Sequence, residues 1–488
     1  MKANNCLQNK TIETKNERKS DISLRSFITV VCILSALLFL SGFLSYVLPQ
    51  GSFERDANGV VILESYTKGA VDGIAIWRVL TAPIRVFASE DAVTIIMISV
   101  FLLIMSGVFR LIERVNGTKV VIGRLMQRLA NKGAPVVCLC VLVFMLFGSF
   151  FGMFEELVTL LPLIILFMLS MGMDTMTGLG ACLMAACFGF SAAITNPFSV
   201  GLAAEVAGVN LQAGMWLRIV FFVIIYITLC TFLMIHLRII ERDPKLSPTY
   251  ESDLIKRENA APLAENELHT KENDKIFRVF CCFFTAQALI LVLIASIREI
   301  SGLAIPILAA SFLLGGIVAG LIVTKKKSDT FRHLANGAAS MLPAVIMIAI
   351  ASSIKLVMTE SGIMDTVMYY MIRMLDGKSR FVTILLVYLL ILVLQIFIGS
   401  SSAKIMLVLP IIVPICASIG ISPAMIILVY CMADGFTDVI LPTNPVLLVG
   451  LSMANVSYGK WFKWTWKLQV FVLALTTLIL LFATVIGY

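Results

Sequence analysis

Charge is scarce in this sequence: Lys, Arg, Asp and Glu together make up 14% of 488 residues, against 59% hydrophobic. That ratio excludes the mixed polar surface that keeps a globular domain in water, so lipid must cover much of the chain. Histidine is rarer still. His236, His269 and His333 are the full set, and none forms an HExxH pair, which excludes a metalloprotease helix of that kind. The eleven cysteines are scattered, and Cys138, Cys140, Cys182, Cys187, Cys230, Cys281, Cys282, Cys416 and Cys431 lie in apolar segments, where they read as small packing residues. The net charge of +8 sits in loops with no polar scaffold to present a basic stripe, so nucleic acid is excluded as a partner.

What the sequence does have is apolar runs. A helix rises about 1.5 Å per residue, so about 20 apolar residues cross a hydrocarbon core of roughly 30 Å. Such runs recur from Phe27 to the C-terminus, and predict an all-α polytopic membrane protein bound in a lipid bilayer. Residues 1–26 are polar and basic and are expected in the cytoplasm; no small-residue cleavage signal follows, so Phe27–Val47 reads as a retained first span. Basic residues at Arg110, Arg114, Lys119, Arg124, Arg128 and Lys132, and again at Lys325, Lys326 and Lys327, mark the inner side. A charged segment near Arg238–Lys275 carries three prolines and little to bury. It divides the chain into a tail (1–26), a first transmembrane half (27–240), a cytoplasmic linker (241–275) and a second half (276–488), with the C-terminus expected outside.

Four places break the apolar pattern. Gly148 to Glu156 separates two short apolar segments, Pro135–Phe147 and Leu157–Ser170, and Gly399 to Lys404 separates Phe381–Ile398 from Ile405–Ile419. Each reads as a re-entrant hairpin with its tip in a protein-lined cavity, or as two ordinary spans with a short turn. Thr195-Asn196-Pro197 and Thr443-Asn444-Pro445 each interrupt a span, because Asn-Pro removes a backbone donor and lets the helix unwind. An offset of 248 residues superimposes Pro162 on Pro410, Gly172 on Gly420, the two Thr-Asn-Pro runs, and Trp216 on Trp464. The charge assignments make the copies opposite in orientation, so the expected fold is an inverted repeat with two re-entrant hairpins and two broken transmembrane helices.

These breaks carry the candidate binding residues. Half-helix ends with Thr195, Asn196, Pro197, Thr443 and Asn444 offer ligands to a carboxylate or to Na⁺, the latter expected near Asn196 and Asn444. Ser400, Ser401 and Ser402 supply hydroxyls, and Lys404 either meets an anionic cargo group or pairs with an acid. Glu155 and Glu156 suit proton coupling, a cationic cargo end, or a buried pair with Lys404. Asp434 and Asp438, four residues apart, are expected on one helical face as further cation contacts.

The stretches Gly152–Ile164, Ser191–Val209, Gly399–Ile415 and Asp434–Pro445 resemble the YfcC-like branch of the anaerobic C4-dicarboxylate carrier family, within the ion transporter superfamily. The likeness runs over about Ser26 to Gly487. It implies a secondary carrier of the bacterial inner membrane, a homodimer, in which a mobile part holding the hairpins and broken helices moves against a scaffold. The Ser-Asn-Thr signature of sodium/dicarboxylate relatives is absent from both tips, so succinate or citrate specificity does not carry over. The expected function is secondary transport of small organic carboxylates or amino acids, coupled to H⁺ or Na⁺ and without a cofactor. A basic amino acid exchanger of the arginine/ornithine type is the alternative, ahead of a passive channel and an intramembrane enzyme.

Overall fold

A computed structural model describes residues 24–54, 65–69, 73–89, 91–117, 119–121, 124, 133–210, 212–260, 270–296, 303–324, 326–375 and 377–488. The tail to residue 23, Arg128, Lys132 and Lys325 lie outside the described residues, and with them part of the expected charge map.

Eight helices among the described residues are long and apolar enough to cross a membrane: Val30–Val47, Ala92–Arg114, Gly133–Phe151, Met215–Arg242, Ile305–Val323, Lys327–Glu360, Ser401–Ser418 and Tyr458–Val485. Their outward faces are apolar, with Leu139, Val223, Leu314, Val318 and Leu478 all exposed, as lipid as the solvent requires. Of the five shorter apolar helices among the described residues, Thr175–Ser191 and Pro445–Ala454 are largely buried. The chain is a multi-pass membrane protein. Among the described residues the strand content is a two-residue antiparallel pairing of Gly51–Ser52 with Thr67–Lys68. A helix over Lys327–Ser340, amphipathic and unforeseen in the sequence, packs on Ala92–Arg114 where Gly107 and Gly337 bring the two backbones together; a Cβ on Gly337 would fall 2.7 Å from the Cα of Gly107.

The interior breaks recur in register. Gly172 and Gly420, 248 positions apart, both take the left-handed conformation that ends a helix, at φ +83° and +76°. Asp174 and Ser422 then cap the next helices, accepting from the N–H of Thr177 and Met425. Asn196 and Asn444 cap the helices that resume at Pro197 and Pro445, their side-chain oxygens accepting from Phe198 N at 2.9 Å and Val446 N at 2.8 Å. A matching proline at the first helical position costs nothing, since that N–H has no helical partner.

The described part of the central segment up to residue 260 is more structured than its composition suggests. Reading it as a linker with little to bury is corrected by the helix Tyr250–Ala260, which brings Ser247, Thr249 and Asp253 into a buried polar cluster. Asp253 accepts from Thr175 N at 2.9 Å and Thr249 Oγ1 at 2.6 Å. Asp174 accepts from Ser247 Oγ at 2.6 Å and from His236 Nε2 at 2.9 Å, while Trp464 Nε1 donates to His236 Nδ1, so the imidazole is held in its Nε2–H tautomer. Lys256 Nζ donates to Thr175 Oγ1 and to the Ala454 carbonyl, both at 2.8 Å. Composition hid this because the buried groups are polar and satisfy one another.

Burial pushes the Asp174 carboxyl up, but hydrogen bonds from His236, Ser247 and Thr177 outweigh it and hold it below the usual carboxylate range. A depressed carboxyl stabilises the fold above its unfolded value, and the contribution is lost as pH falls through the folded value. Removing the neighbouring anchor, Asp253→Ala, leaves Thr175 N and Thr249 Oγ1 without acceptors, at about 1–3 kcal/mol. Limited trypsinolysis should then cut at Lys256 and Arg257 several-fold faster than in the parent. Equal rates would mean that the segment is not held by this cluster.

Candidate functional site

The first break is held open by the helix Gly133–Phe151. Gly148 and Gly189 let it touch Thr175–Ser191 backbone to backbone; a Cβ on Gly189 would lie 2.2 Å from the Met145 carbonyl. That approach puts Ser149 beside the unwound residues, where its carbonyl accepts from the N–H of Ile194, Thr195 and Asn196 at 3.0–3.2 Å and its hydroxyl donates to Ala192 O. Backbone groups freed by unwinding are therefore paired within the protein. Asn196 is fully buried and committed: Oδ1 caps Phe198 and Nδ2 donates to Phe190 O. Thr195 donates to Phe150 O.

The second break begins earlier than its Thr-Asn-Pro run. The helix Pro423–Ala433 stops at Asp434, which is extended, and Gly435 follows at φ +91° with no room for a Cβ against Ser191 Oγ. Asp434 and Asp438 thus do not share a helical face, a correction to the periodicity argument: a glycine in a left-handed conformation ends the helix between them. The freed carbonyls of Gly435, Val439 and Ile440 accept from Cys187 Sγ, Trp461 Nε1 and Tyr458 Oη. Asn444 caps both Val446 and Leu447.

Lys404, on the second tip helix, is 0% exposed, and its Nζ donates to Asp434 Oδ1 at 2.5 Å. This pair ties the helix Ser401–Ser418 to the second break. Glu155 and Glu156 have no bond to Lys404 among the contacts of the described residues.

A cavity of about 320 Å³ opens where the segments 152–156 and 399–402 meet the second break. It takes Gly152, Glu155 and Glu156 from the first of these segments, Gly399 to Ser402 from the second, and Asp438, Thr443 and Asn444 from the break. Thr195, Asn196, Pro197, Lys404 and Asp434 are not on its wall. Ser402 reaches the Phe198 carbonyl at 3.5 Å, and Tyr430 donates to the Ser401 carbonyl at 2.7 Å, so the serine tip is fixed from both sides. Gln395 donates to Asp438.

The wall also holds residues not singled out as ligands in the sequence. Lys355 and Asp91 line it and pair with each other at 2.6 Å. Lys355 stands inside the apolar run Leu342–Met358, and a charge at such depth is itself a signal for function. Neither Lys355 nor Asp91, the residue before the helix Ala92–Arg114, was singled out in the sequence.

The model for the C4-dicarboxylate anaerobic carriers (DcuC) matches residues 24–485. The chain belongs to the C4-dicarboxylate anaerobic carrier family. Its relatives include the Escherichia coli K12 protein named "Putative basic amino acid antiporter YfcC", 25% identical over 413 residues, 81% of this chain and 79% of that protein. An uncharacterized protein of Haemophilus influenzae is 24% identical over 483 residues, covering 90% of this carrier and 93% of its relative. Among solved structures the carrier is similar to the YdaH transporter of Alcanivorax borkumensis, at 18% identity, TM-score 0.43, covering 95% of this chain and 99% of that one. It is similar also to MtrF of Neisseria gonorrhoeae, described as illuminating a class of antimetabolite efflux pumps, at 17% identity, TM-score 0.41 and coverages of 92% and 94%. Membership of the carrier family makes the protein a membrane transporter.

Proposed function

We propose that this carrier is a secondary active transporter of amino acids, with a basic amino acid as cargo in preference to a C4 dicarboxylate. The observation that carries the reading is the charge on the cavity wall: Glu155, Glu156, Asp438 and Asp91 face a single described cation, Lys355. A dianion entering that space would meet like charges in a low dielectric, whereas an ammonium or guanidinium would be attracted by them. The volume is at the lower end of small-molecule sites, about 300–1,000 Å³. The name of the Escherichia coli relative agrees in cargo class.

Alternating access by an inverted repeat is the mechanism we attach to it. Its support is the recurrence of caps and left-handed glycines at an offset of 248. Two matched positions also touch: Cys187 donates to Gly435 O at 3.0 Å, and Phe188 packs edge-on against Phe436 at 5.1 Å. Residues related by a two-fold axis meet their own mates only beside that axis, which makes these contacts the expected signature of two symmetry-related halves. In this reading the tips carry cargo between two openings, with H⁺ or Na⁺ as coupling ion or a counter-transported amino acid in its place.

Liposomes loaded with unlabelled arginine and given labelled arginine, lysine or succinate outside, with Na⁺ and pH gradients imposed separately, test the reading. Saturable counterflow of the basic amino acids, with no competition from succinate, is expected. Succinate uptake that basic amino acids do not inhibit would replace this function with a dicarboxylate one.

A further inference from the structure

We infer that Lys355 is the receptor for the cargo's carboxylate and that Asp91 is an internal stand-in, occupying the ammonium until cargo displaces it. The inference rests on the amino acid reading above and assigns it the one contact that reading leaves open: where the negative end goes.

Two ion pairs flank the cavity region, and their settings differ. Lys404 and Asp434 are sealed, with side chains 0% and 3% exposed. Lys355 and Asp91 are 27% and 45% exposed, and both stand on the cavity wall. A sealed pair has no route for exchange with a solute. An open one does, and pairs with that exposure contribute about 0–1 kcal/mol, so replacing one carboxylate by another on the same ammonium costs little.

Asp91 shows independently that its carboxylate is turned to Lys355 rather than to local structure. It occupies the position before the helix Ala92–Arg114, where an aspartate ordinarily accepts from the first free N–H groups, yet its side chain makes no capping bond. The helix start forgoes about 1 kcal/mol of capping while the carboxylate reaches Nζ of Lys355. Lys355 has its own constraint. It stands on a helix whose Ile354, Val357 and Met358 are buried, so a carboxylate beside its ammonium is favoured. Asp91 fills that place in the empty cavity, and the cargo carboxylate fills it in the loaded one. Loading then frees Asp91, which has its vacant helix N-terminus close at hand as the next partner. The cargo's positive end lies toward Glu155, Glu156 and Asp438, so one molecule is oriented across the gap by charge at both ends.

The test compares arginine with agmatine, the same guanidinium cargo lacking the carboxylate, in competition against labelled arginine or agmatine counterflow. In the parent, arginine should compete about 10- to 100-fold better than agmatine, the worth of a hydrogen bond to a charged group. K355Q should lose that preference by weakening arginine alone, and K355R should restore part of it. Because K355Q leaves Asp91 without its partner and could unfold, the neutral double variant K355Q/D91N is measured beside it, with the same expected loss and with agmatine uptake as proof of folding. D91N alone should strengthen arginine and leave agmatine unchanged. If K355Q/D91N keeps the parent's preference for arginine, Lys355 is not the receptor. If the parent carries no basic amino acid at all, the failure belongs to the proposed function and not to the residue assignment.

Discussion

Lys404→Met unfolds the detergent-solubilised protein well below the parent's melting temperature, Asp434→Leu does the same, and the two together recover most of the loss. The expectation follows from where the pair sits. Nζ and Oδ1 are 2.5 Å apart, and neither side chain sees solvent. Removing one partner strands a charge in an apolar interior, at about 3–5 kcal/mol, whereas replacing both with apolar side chains of similar volume is near neutral. The consequence is local as well as global, because the pair joins the helix Ser401–Ser418 to the residue at which Pro423–Ala433 unwinds. Melting followed by size-exclusion chromatography reads all three variants. Single variants that melt with the parent would mean that water reaches the pair. A double variant no better than the worse single would mean that the charges serve something besides each other.

That pair also marks how far the sequence could be read. Lys404 stands out in the sequence because it is a charge in an apolar segment, and Asp434 because it precedes a break, but nothing in their spacing joins them. Thirty residues separate them, and the bond exists because the chain unwinds at Asp434 and turns back at Gly435. The breaks themselves were legible. Thr-Asn-Pro in an apolar run has one economical structure, a proline at the first position of a restarting helix under an asparagine cap, and the structure adopts it at both places. Gly172 and Gly420 were matched in the sequence by their offset alone; their shared left-handed conformation is the structure's addition.

What stayed hidden was any feature that depends on two remote segments meeting. Ser149, which gathers three N–H groups of the first break, is an ordinary serine in an apolar helix until Gly148 and Gly189 bring the backbones together. Asp253 is an ordinary surface acid until Thr175 and Thr249 surround it. Local chemistry in the sequence announces where a helix must stop; it does not announce which distant residue receives the groups set free.

Neutralising the acidic wall has the opposite profile to breaking the sealed pair: transport fails while the fold holds. Glu155→Gln, Glu156→Gln and Asp438→Asn keep shape and hydrogen-bonding capacity, and Asn at 438 still offers an oxygen to Gln395. Only charge is lost, and no counter-ion is stranded, because none of these three carboxylates forms an ion pair with a cationic side chain among the described contacts. Melting temperature should therefore stay level or rise as repulsion among neighbouring acids is relieved. Affinity for a guanidinium or ammonium cargo should fall about 10- to 100-fold for each carboxylate that touches it, the worth of a charge-assisted hydrogen bond in a confined site. A neutral amino acid of similar size should lose far less, so the ratio of arginine to citrulline uptake in liposomes is the sensitive measure. In the triple variant that ratio should approach unity. A triple variant that folds and still prefers arginine as strongly as the parent would show that these acids do not read the cargo's charge, and the cavity would need a different occupant.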